Sequence, residues 1–190
     1  MLKNYTSLGL MSGTSGDGVD ASLINSDGVN YYESIKDKHF EYDDEIFKGI
    51  HKIKEKINNK LDLKNFSEEI NNLSRKITIF HAKVIKDLSI EINDYLIGFH
   101  GQTIYHNPKE KITNQLGDGK LLSQILKKKI IYDFRQADIQ NNGQGAPLTP
   151  IFHHILSKKI NQNYNIKFPI GFLNIGGIAN VTKVINDSDN

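Results

Sequence analysis

A short stretch near the N-terminus, Gly9–Ile24, constrains the fold most; its sequence is GLMSGTSGDGVDASLI. Glycine, serine and threonine cluster there between two apolar segments that read as β-strands. This pattern predicts a β-hairpin with a tight turn, because glycine adopts positive φ without steric cost. The amides of such a turn can form a concavity that binds a phosphate, although the same pattern also suits an ordinary turn. It is not a Walker P-loop, because no Gly-Lys-Ser/Thr follows.

Composition limits the class of protein. The chain has 190 residues, of which 38% are hydrophobic and 24% charged, as is typical of a globular protein with at least one core. A net charge of +2 gives no indication of a nucleic-acid partner, and the absence of cysteine excludes disulfides and thiolate metal sites. No apolar run approaches the roughly 18 residues that cross a bilayer. We therefore expect a cytoplasmic protein that does not enter a membrane.

The order of patterns along the chain predicts an α/β fold. Three antiparallel strands come first, and the third lies in VNYYESIKDKHF. Apolar residues at helical spacing then predict one helix from about residue 43 and a long one over about 65–90. The rest predicts strands in YLIGFHG and IIYDF and helices in GKLLSQILKKK and PIFHHILSKKI. We expect a mixed sheet flanked by helices.

The last segment, GFLNIGGIANVTKVI, repeats the design of the first: an apolar strand, a turn of small residues and a second strand. We therefore predict that residues 1–168 form one domain and that residues 169–190 are the first hairpin of a second, similar domain.

Polar residues follow the strand predicted in YLIGFHG. His100, Gln102, Thr103 and His106 are expected just past its C-terminal end, where α/β proteins place ligands. Each histidine is also compatible with a structural role. A metal site at His100 and His106 is not expected, because the sequence offers no third ligand.

The stretch DFRQADIQNNGQGAPLTP combines a charged pair with a glycine-rich loop. We expect the strand to end at Phe134 and Arg135 and Asp138 to lie in the loop after it. Asp138 is a candidate general base, and Arg135 could position that carboxylate or a substrate anion. The alternative is a surface Arg–Asp pair. Earlier in the chain, Asp118 of QLGDGKLLSQ is expected to cap the helix that directly follows it.

Five stretches in this order resemble the anhydro-N-acetylmuramic acid kinases, of the actin, sugar-kinase and heat-shock ATPase superfamily. They are GLMSGTSGDGVDASL, IGFHGQTIYHNP, QLGDG, DFRQADIQNNGQGAPLTP and FLNIGGIANVT, and they cover the chain from about Leu8 to Thr182. The resemblance implies an actin-like ATPase lobe of the ribonuclease H-like type.

The resemblance also implies an activity. The family uses ATP and Mg²⁺ to open the 1,6-anhydro ring of its sugar with water and to phosphorylate O6, giving N-acetylmuramic acid 6-phosphate in peptidoglycan recycling. Asp138 falls at the catalytic base. The ATP motif falls on Gly13, Thr14, Ser15, Gly16, Asp17, Gly18, Val19 and Asp20. The substrate-binding residues are expected to be His100, Gln102, Thr103, Arg135, Gln144, Gly145 and Asn174.

Two residues depart from the family pattern. Gly16 stands where the family usually has a large apolar residue, and Asn142 where it usually has glycine. The family also has a complete second lobe, so we expect poor ATP binding by this chain alone and pairing with a second-lobe chain or a homodimer. Two alternatives stay open: a non-catalytic sugar- or protein-binding remnant, and a kinase of an ordinary hexose.

Overall fold

The computed structural model describes residues 2–176 and 179–186. Three strands come first, three helices follow them, and the remaining strands and helices are interspersed. The strands are β1 (Tyr5–Ser12), β2 (Gly18–Ser26), β3 (Tyr32–Glu41), β4 (Leu96–Asn107), β5 (Ile112–Leu116), β6 (Ile130–Tyr132), β7 (Ile170–Asn174) and β8 (Asn180–Val184). The helices are α1 (Asp44–Lys56), α2 (Lys60–Asn65), α3 (Ser67–Asp87), α4 (Gly119–Leu126), α5 (Phe134–Gln140) and α6 (Pro150–Tyr164), with a short 3-10 helix at Pro108–Glu110.

Six strands form one mixed sheet in the order β3-β2-β1-β4-β5, with β6 also paired to β4. The first three strands are an antiparallel meander, β4 joins β1 in parallel, and β5 runs antiparallel to β4. The parallel partner β6 pairs with the first half of β4 and β5 with its second half. The predicted mixed sheet flanked by helices is confirmed, as is the hairpin over Gly9–Ile24.

One face of this sheet carries the core. Leu8 and Leu10 alternate along β1, so both point to the same face, and both are almost fully buried. Helices α1 and α3 contribute isoleucines at steps of three and four, such as Ile46, Ile50 and Ile53 on α1. Asp43 caps α1 by accepting from the amide of Ile46 at 2.8 Å. Both helices lie where the periodicity predicts them.

Strands β7 and β8 form a separate two-stranded sheet. Its exposed face carries Leu173 and Val181, which are cross-strand partners and are each more than half exposed. Phe172 of β7 is half-buried because it stacks on His153 of α6, with ring centroids 4.7 Å apart. The assignment of this hairpin to a second domain stays a prediction.

Several local features differ from the prediction. Strand β5 and helix α5 were not expected, and strand β4 continues to Asn107 rather than ending near Gly101. The strand expected to end at Phe134 stops at Tyr132, because Asp133 adopts a left-handed conformation (φ 64°) and α5 begins at the next residue. Within the described ranges, no helix has the length and apolar character that crossing a membrane needs.

Candidate functional site

A bulge in β4 sets the direction of the polar side chains that follow. Leu10 pairs with Phe99 and Ser12 with Gln102, so β4 has one residue more than β1 over this interval. The bulge contains Gly101, whose φ of 72° and whose Cβ position, 2.4 Å from the carbonyl oxygen of Leu116, both require glycine. His100, Gln102, Thr103 and His106 therefore lie within β4, not beyond its end as predicted.

His100 is the first member of a hydrogen-bonded cluster. Its Nε2 accepts from Arg135 Nε at 2.7 Å, so the neutral ring carries its proton on Nδ1, which lies 2.6 Å from the carbonyl oxygen of Gly101. Burial, with a further contribution from the positive charge of Arg135, lowers the pKa of His100 to about 4. His100 is therefore a neutral group that accepts from Arg135, and it is not a cation at neutral pH.

Gly145 connects the two charged residues of α5. Arg135 donates from a terminal guanidinium nitrogen to the carbonyl oxygen of Gly145 at 2.7 Å, and the Gly145 amide donates to Asp138 Oδ2, also at 2.7 Å. No ion pair joins Arg135 to Asp138 directly in the part of the chain that the structure describes. The surface-pair alternative is therefore wrong, and the two side chains are held by a common backbone group.

The loop after α5 fits closely around the carboxylate of Asp138. The amide of Gly143 donates to the carbonyl oxygen of Asp138 at 2.8 Å, and a Cβ at Gly143 would stand 2.1 Å from Oδ2. Gly145 has φ of 70°, so the loop uses glycine both for its path and for close approach. Asp138 is half-buried, and its Oδ1 makes no hydrogen bond to the described residues.

A row of polar side chains on β4 and β5 lies beside this cluster. Gln115 Nε2 donates to Thr113 Oγ1 at 2.7 Å and to Thr103 Oγ1 at 3.2 Å, and His106 Nδ1 lies 3.1 Å from the same Thr113 hydroxyl. Burial lowers the pKa of His106. Thr113 and Gln115 were missed by sequence reasoning, because β5 was missed and its short ITNQL segment carries only a weak apolar alternation.

A small cavity of about 180 Å³ opens next to the cluster. His100, Thr113, Gln115 and Asp133 contribute polar groups to its lining. Burial raises the pKa of Asp133. Polar groups of this kind suit a ligand with several hydroxyl groups.

Two predicted substrate residues contribute no side-chain hydrogen bond to the cluster among the described residues. Gln144 is exposed in the loop between Gly143 and Gly145. Asn174 ends β7 in the two-stranded sheet, and no hydrogen bond within the described ranges links it to the cluster. Their roles in substrate binding stay predictions.

The turn between β1 and β2 forms the second part of the site. Gly16 N donates to the carbonyl oxygen of Gly13 at 3.2 Å, and Gly16 has φ of 70°. Gly18 lies against β3, where a Cβ would stand 2.4 Å from the carbonyl oxygen of Phe40. Val19 is fully buried in the core, so it presents no surface to a ligand. Thr14 and Ser15 at the tip are exposed, and their amides pair with no acceptor of the described chain.

Two exposed carboxylates flank this turn. Asp17 accepts from Ser15 Oγ at 2.6 Å, a hydrogen bond that lowers the pKa of Asp17. Asp20 lies 2.8 Å from His39 Nδ1. Among the described residues, no group of three or more His, Asp or Glu is arranged to hold a metal ion by itself. Carboxylate oxygens do, however, suit Mg²⁺, which usually takes one or two of them together with substrate phosphates and water.

Gln102 joins the two parts. Its Nε2 donates to the carbonyl oxygen of Gly13 at 2.8 Å, while His100, two residues earlier in β4, belongs to the cluster. Strand β4 therefore contacts both the exposed turn with its unpaired amides and the cluster around the half-buried carboxylate. The mixed sheet with its flanking helices is of the sugar-kinase and ATPase type.

Comparisons with known proteins assign the family. The profile of the family described as Anhydro-N-acetylmuramic acid kinase matches residues 5–190. An anhydro-N-acetylmuramic acid kinase of Pelagibacter ubique is 56% identical over 193 aligned residues, which cover 100% of this chain. Those of Brucella canis and Gluconobacter oxydans are 37% and 38% identical over 95% and 92% of it. The chain belongs to the anhydro-N-acetylmuramic acid kinase family.

The relatives are longer than this chain. The match covers 50%, 49% and 47% of the Pelagibacter, Brucella and Gluconobacter proteins. The chain thus spans about half the length of the curated relatives that it matches.

Proposed function

We propose that this chain forms the lobe of an anhydro-N-acetylmuramic acid kinase that carries the phosphate-binding turn and the catalytic base. The observation that supports this most is the fixed carboxylate of Asp138. One oxygen is bound by the Gly145 amide at 2.7 Å, and the other has no partner among the described residues. A carboxylate held at one oxygen and open at the other is suited to accept a proton from water.

The proposed reaction joins hydrolysis of the anhydro ring to phosphoryl transfer. Asp138 accepts a proton from water as the water oxygen attacks the anomeric carbon of the sugar. The bond between that carbon and O6 breaks, and O6 bonds to the γ-phosphorus of ATP while ADP leaves. Arg135 and His100 keep the Gly145 loop in place beside the base, and Thr103 and Gln144 are proposed to bind the sugar.

The turn is proposed to bind the phosphates of ATP. The unpaired amides of Thr14 and Ser15 and the absence of side chains at the glycines fit an anion that approaches the backbone. Asp17 and Asp20 would hold Mg²⁺ there. When bound, the ion neutralises phosphate charge, which is a main requirement of phosphoryl transfer.

A chimera tests this proposal. This chain is fused to the C-terminal half of the Pelagibacter relative, with which the matched half shares 56% identity. The fusion is incubated with 1,6-anhydro-N-acetylmuramic acid and Mg·ATP, and mass spectrometry follows the sugar 6-phosphate and ADP. We expect both products in equal amounts, and no phosphorylation of glucose. A chimera that folds and phosphorylates glucose instead would favour the ordinary hexose kinase.

The binding remnant is the second candidate, because every member of the His100–Arg135–Gly145–Asp138 cluster comes from this chain. The binding-remnant hypothesis predicts that calorimetry detects binding of the anhydro sugar to this chain, whereas the folded chimera shows no turnover. Pairing with a second-lobe chain or with a second copy, and a cytoplasmic location, belong to the same proposal. Sedimentation with and without the Pelagibacter half measures the pairing.

A further inference from the structure

Two successive carbonyl groups of the turn between β1 and β2 are held from within the protein. The carbonyl oxygen of Gly13 accepts from Gln102 Nε2 at 2.8 Å. The carbonyl oxygen of Thr14 accepts from Lys54 Nζ of α1 at 2.7 Å. Both donors come from elements distant in sequence, so the conformation of the turn depends on tertiary contacts as well as on its glycines.

These contacts fix the direction of the next two amides. In a planar trans peptide, the carbonyl group of one residue and the N–H of the following residue point in opposite directions. Because the carbonyls of Gly13 and Thr14 point at Gln102 and Lys54, the amides of Thr14 and Ser15 point away from those donors. These are the two amides that pair with no acceptor in the described part of the chain.

We propose that Gln102 and Lys54 are positioning residues of the phosphate site. They hold two carbonyls inward and thereby turn the amides of Thr14 and Ser15 outward, toward the phosphate chain of the nucleotide. This inference rests on the proposed function of the turn. It gives Gln102 a different role from the direct substrate contact that the family resemblance implies.

The burial of Gln102 supports this role. The residue is 0% exposed, and its Oε1 has no hydrogen-bond partner within the described ranges. A buried acceptor without a partner is destabilising, and an apolar side chain of similar length would avoid that cost. The bond from Nε2 to Gly13 is what an apolar side chain could not supply. Beneath the turn, Tyr42 adds support through its hydroxyl, 2.8 Å from Ser12 Oγ.

The test uses amide NMR signals of the ¹⁵N-labelled chain, with sodium tripolyphosphate as the probe. Lys54→Met and Gln102→Met each remove one donor, and Lys54→Arg keeps a cationic donor. Lys52→Met is the matched control, because it removes the same charge from the exposed side of α1. Without probe, Lys54→Met should shift the Ser15 amide signal and Gln102→Met that of Thr14, whereas Lys52→Met should shift neither.

With the probe, we expect tripolyphosphate to shift both amide signals of the wild-type chain. Loss of one donor should weaken the apparent affinity roughly three- to tenfold, in line with the net contribution of one hydrogen bond. Lys54→Arg should stay near wild type, and Lys52→Met within about twofold, because an exposed charge is screened. The uncharged exchange Gln102→Met separates positioning from simple loss of positive charge.

Two results would overturn the inference. One is that Lys54→Met and Lys52→Met match in affinity and both leave the ligand-free Ser15 signal in place. The other is that Gln102→Met folds and leaves the Thr14 signal and the affinity unchanged. If tripolyphosphate does not shift the turn amide signals of the wild-type chain, the proposed phosphate role is contradicted. The shifts that the variants cause without the probe would still test whether Gln102 and Lys54 position the turn. If Gln102→Met does not fold, the surface variant Lys54→Met carries the test.

Discussion

His81, in the middle of α3, should make the stability of this chain fall steeply below neutral pH. The side chain is fully buried, with Nδ1 2.8 Å from the carbonyl oxygen of Ile77. Its Nε2 has no partner among the described residues, and the ring packs edge-on against Phe99 at 4.8 Å. Burial lowers the pKa of His81 from 6.5 to about 4. Protonation would place an uncompensated charge among apolar and aromatic groups.

The sign and size of the effect follow from this pKa. In the unfolded chain His81 binds a proton near its ordinary pKa of 6.5, whereas the folded chain resists protonation down to about pH 4. Stability is therefore complete above pH 6.5 and is lost as the pH falls toward 4. At about 1.36 kcal/mol per pH unit, the full loss is about 3.4 kcal/mol, of which about 2.5 kcal/mol is lost between pH 7.5 and 4.5.

Urea unfolding of the chain, followed by circular dichroism at several pH values, measures this loss. His81→Gln removes the titrating group, so its free energy of unfolding should fall about 2.5 kcal/mol less than that of the wild type between pH 7.5 and 4.5. The comparison isolates His81 from His100, whose pKa is also about 4. His39→Gln, at an exposed position on β3, controls for the exchange itself. Parallel pH profiles of wild type and His81→Gln would refute the reasoning.

Three further predictions concern the site and the hairpin. In an active chimera, Asp138→Asn should reduce ring opening and phosphorylation together by at least about 10²-fold, the low end for loss of a general base; nucleotide binding by calorimetry should persist, and near-normal turnover would make Asp138 structural. Gly16→Leu should destabilise the chain by about 1–2 kcal/mol in urea unfolding, because φ is 70° and a Cβ would stand 3.0 Å from Ile50 Cγ2; an unchanged midpoint would contradict this. The double exchange of Leu173 and Val181 to Lys should abolish self-association in sedimentation, since both side chains are exposed on one hairpin face; association that persists would exclude this face.

Much of the sheet and its main helices can be predicted because their patterns are long. The first hairpin has a clear turn, α1 combines regular apolar spacing with a cap residue, and α3 keeps its apolar spacing over 21 residues. Helix α5 has only seven residues and follows Asp133, which is left-handed and makes no side-chain cap hydrogen bond. The sequence therefore lacks the usual pattern of a helix N-terminus at this position. Strand β5 is short and mostly polar, and it is defined by pairing with the second half of β4.

The individual residues of the site were easier to predict than the bonds between them. Chemistry marks His100, Arg135 and Asp138 as candidates, and all three lie in one cluster. The connection runs through the backbone of Gly145, and no side-chain pattern encodes which carbonyl or amide a loop will present. The same holds for Gln102. Its residue type suggests a ligand contact, while the bulge at Gly101 brings it into the interior.

The two departures from the family pattern differ in physical consequence. Asn142 has φ of 67°, a region that asparagine tolerates better than other residues with a Cβ, and its Oδ1 accepts from Lys111 Nζ at 3.3 Å. The backbone at residue 142 therefore tolerates asparagine in place of glycine. Gly16 is different, because residues with a Cβ rarely adopt its φ of 70° and a Cβ there would press against Ile50.

Helix α1 contacts the turn at two points one helical turn apart, through Ile50 beneath Gly16 and through Lys54 at the carbonyl oxygen of Thr14. A side chain at Gly16 that displaced α1 would also displace the Lys54 ammonium from that carbonyl. The effects of Gly16→Leu and Lys54→Met on the free energy of unfolding should therefore be less than additive. The first exchange already weakens the hydrogen bond that the second removes. In this chain the small residue at Gly16 and the lysine at Lys54 thus act together to set the shape of the turn.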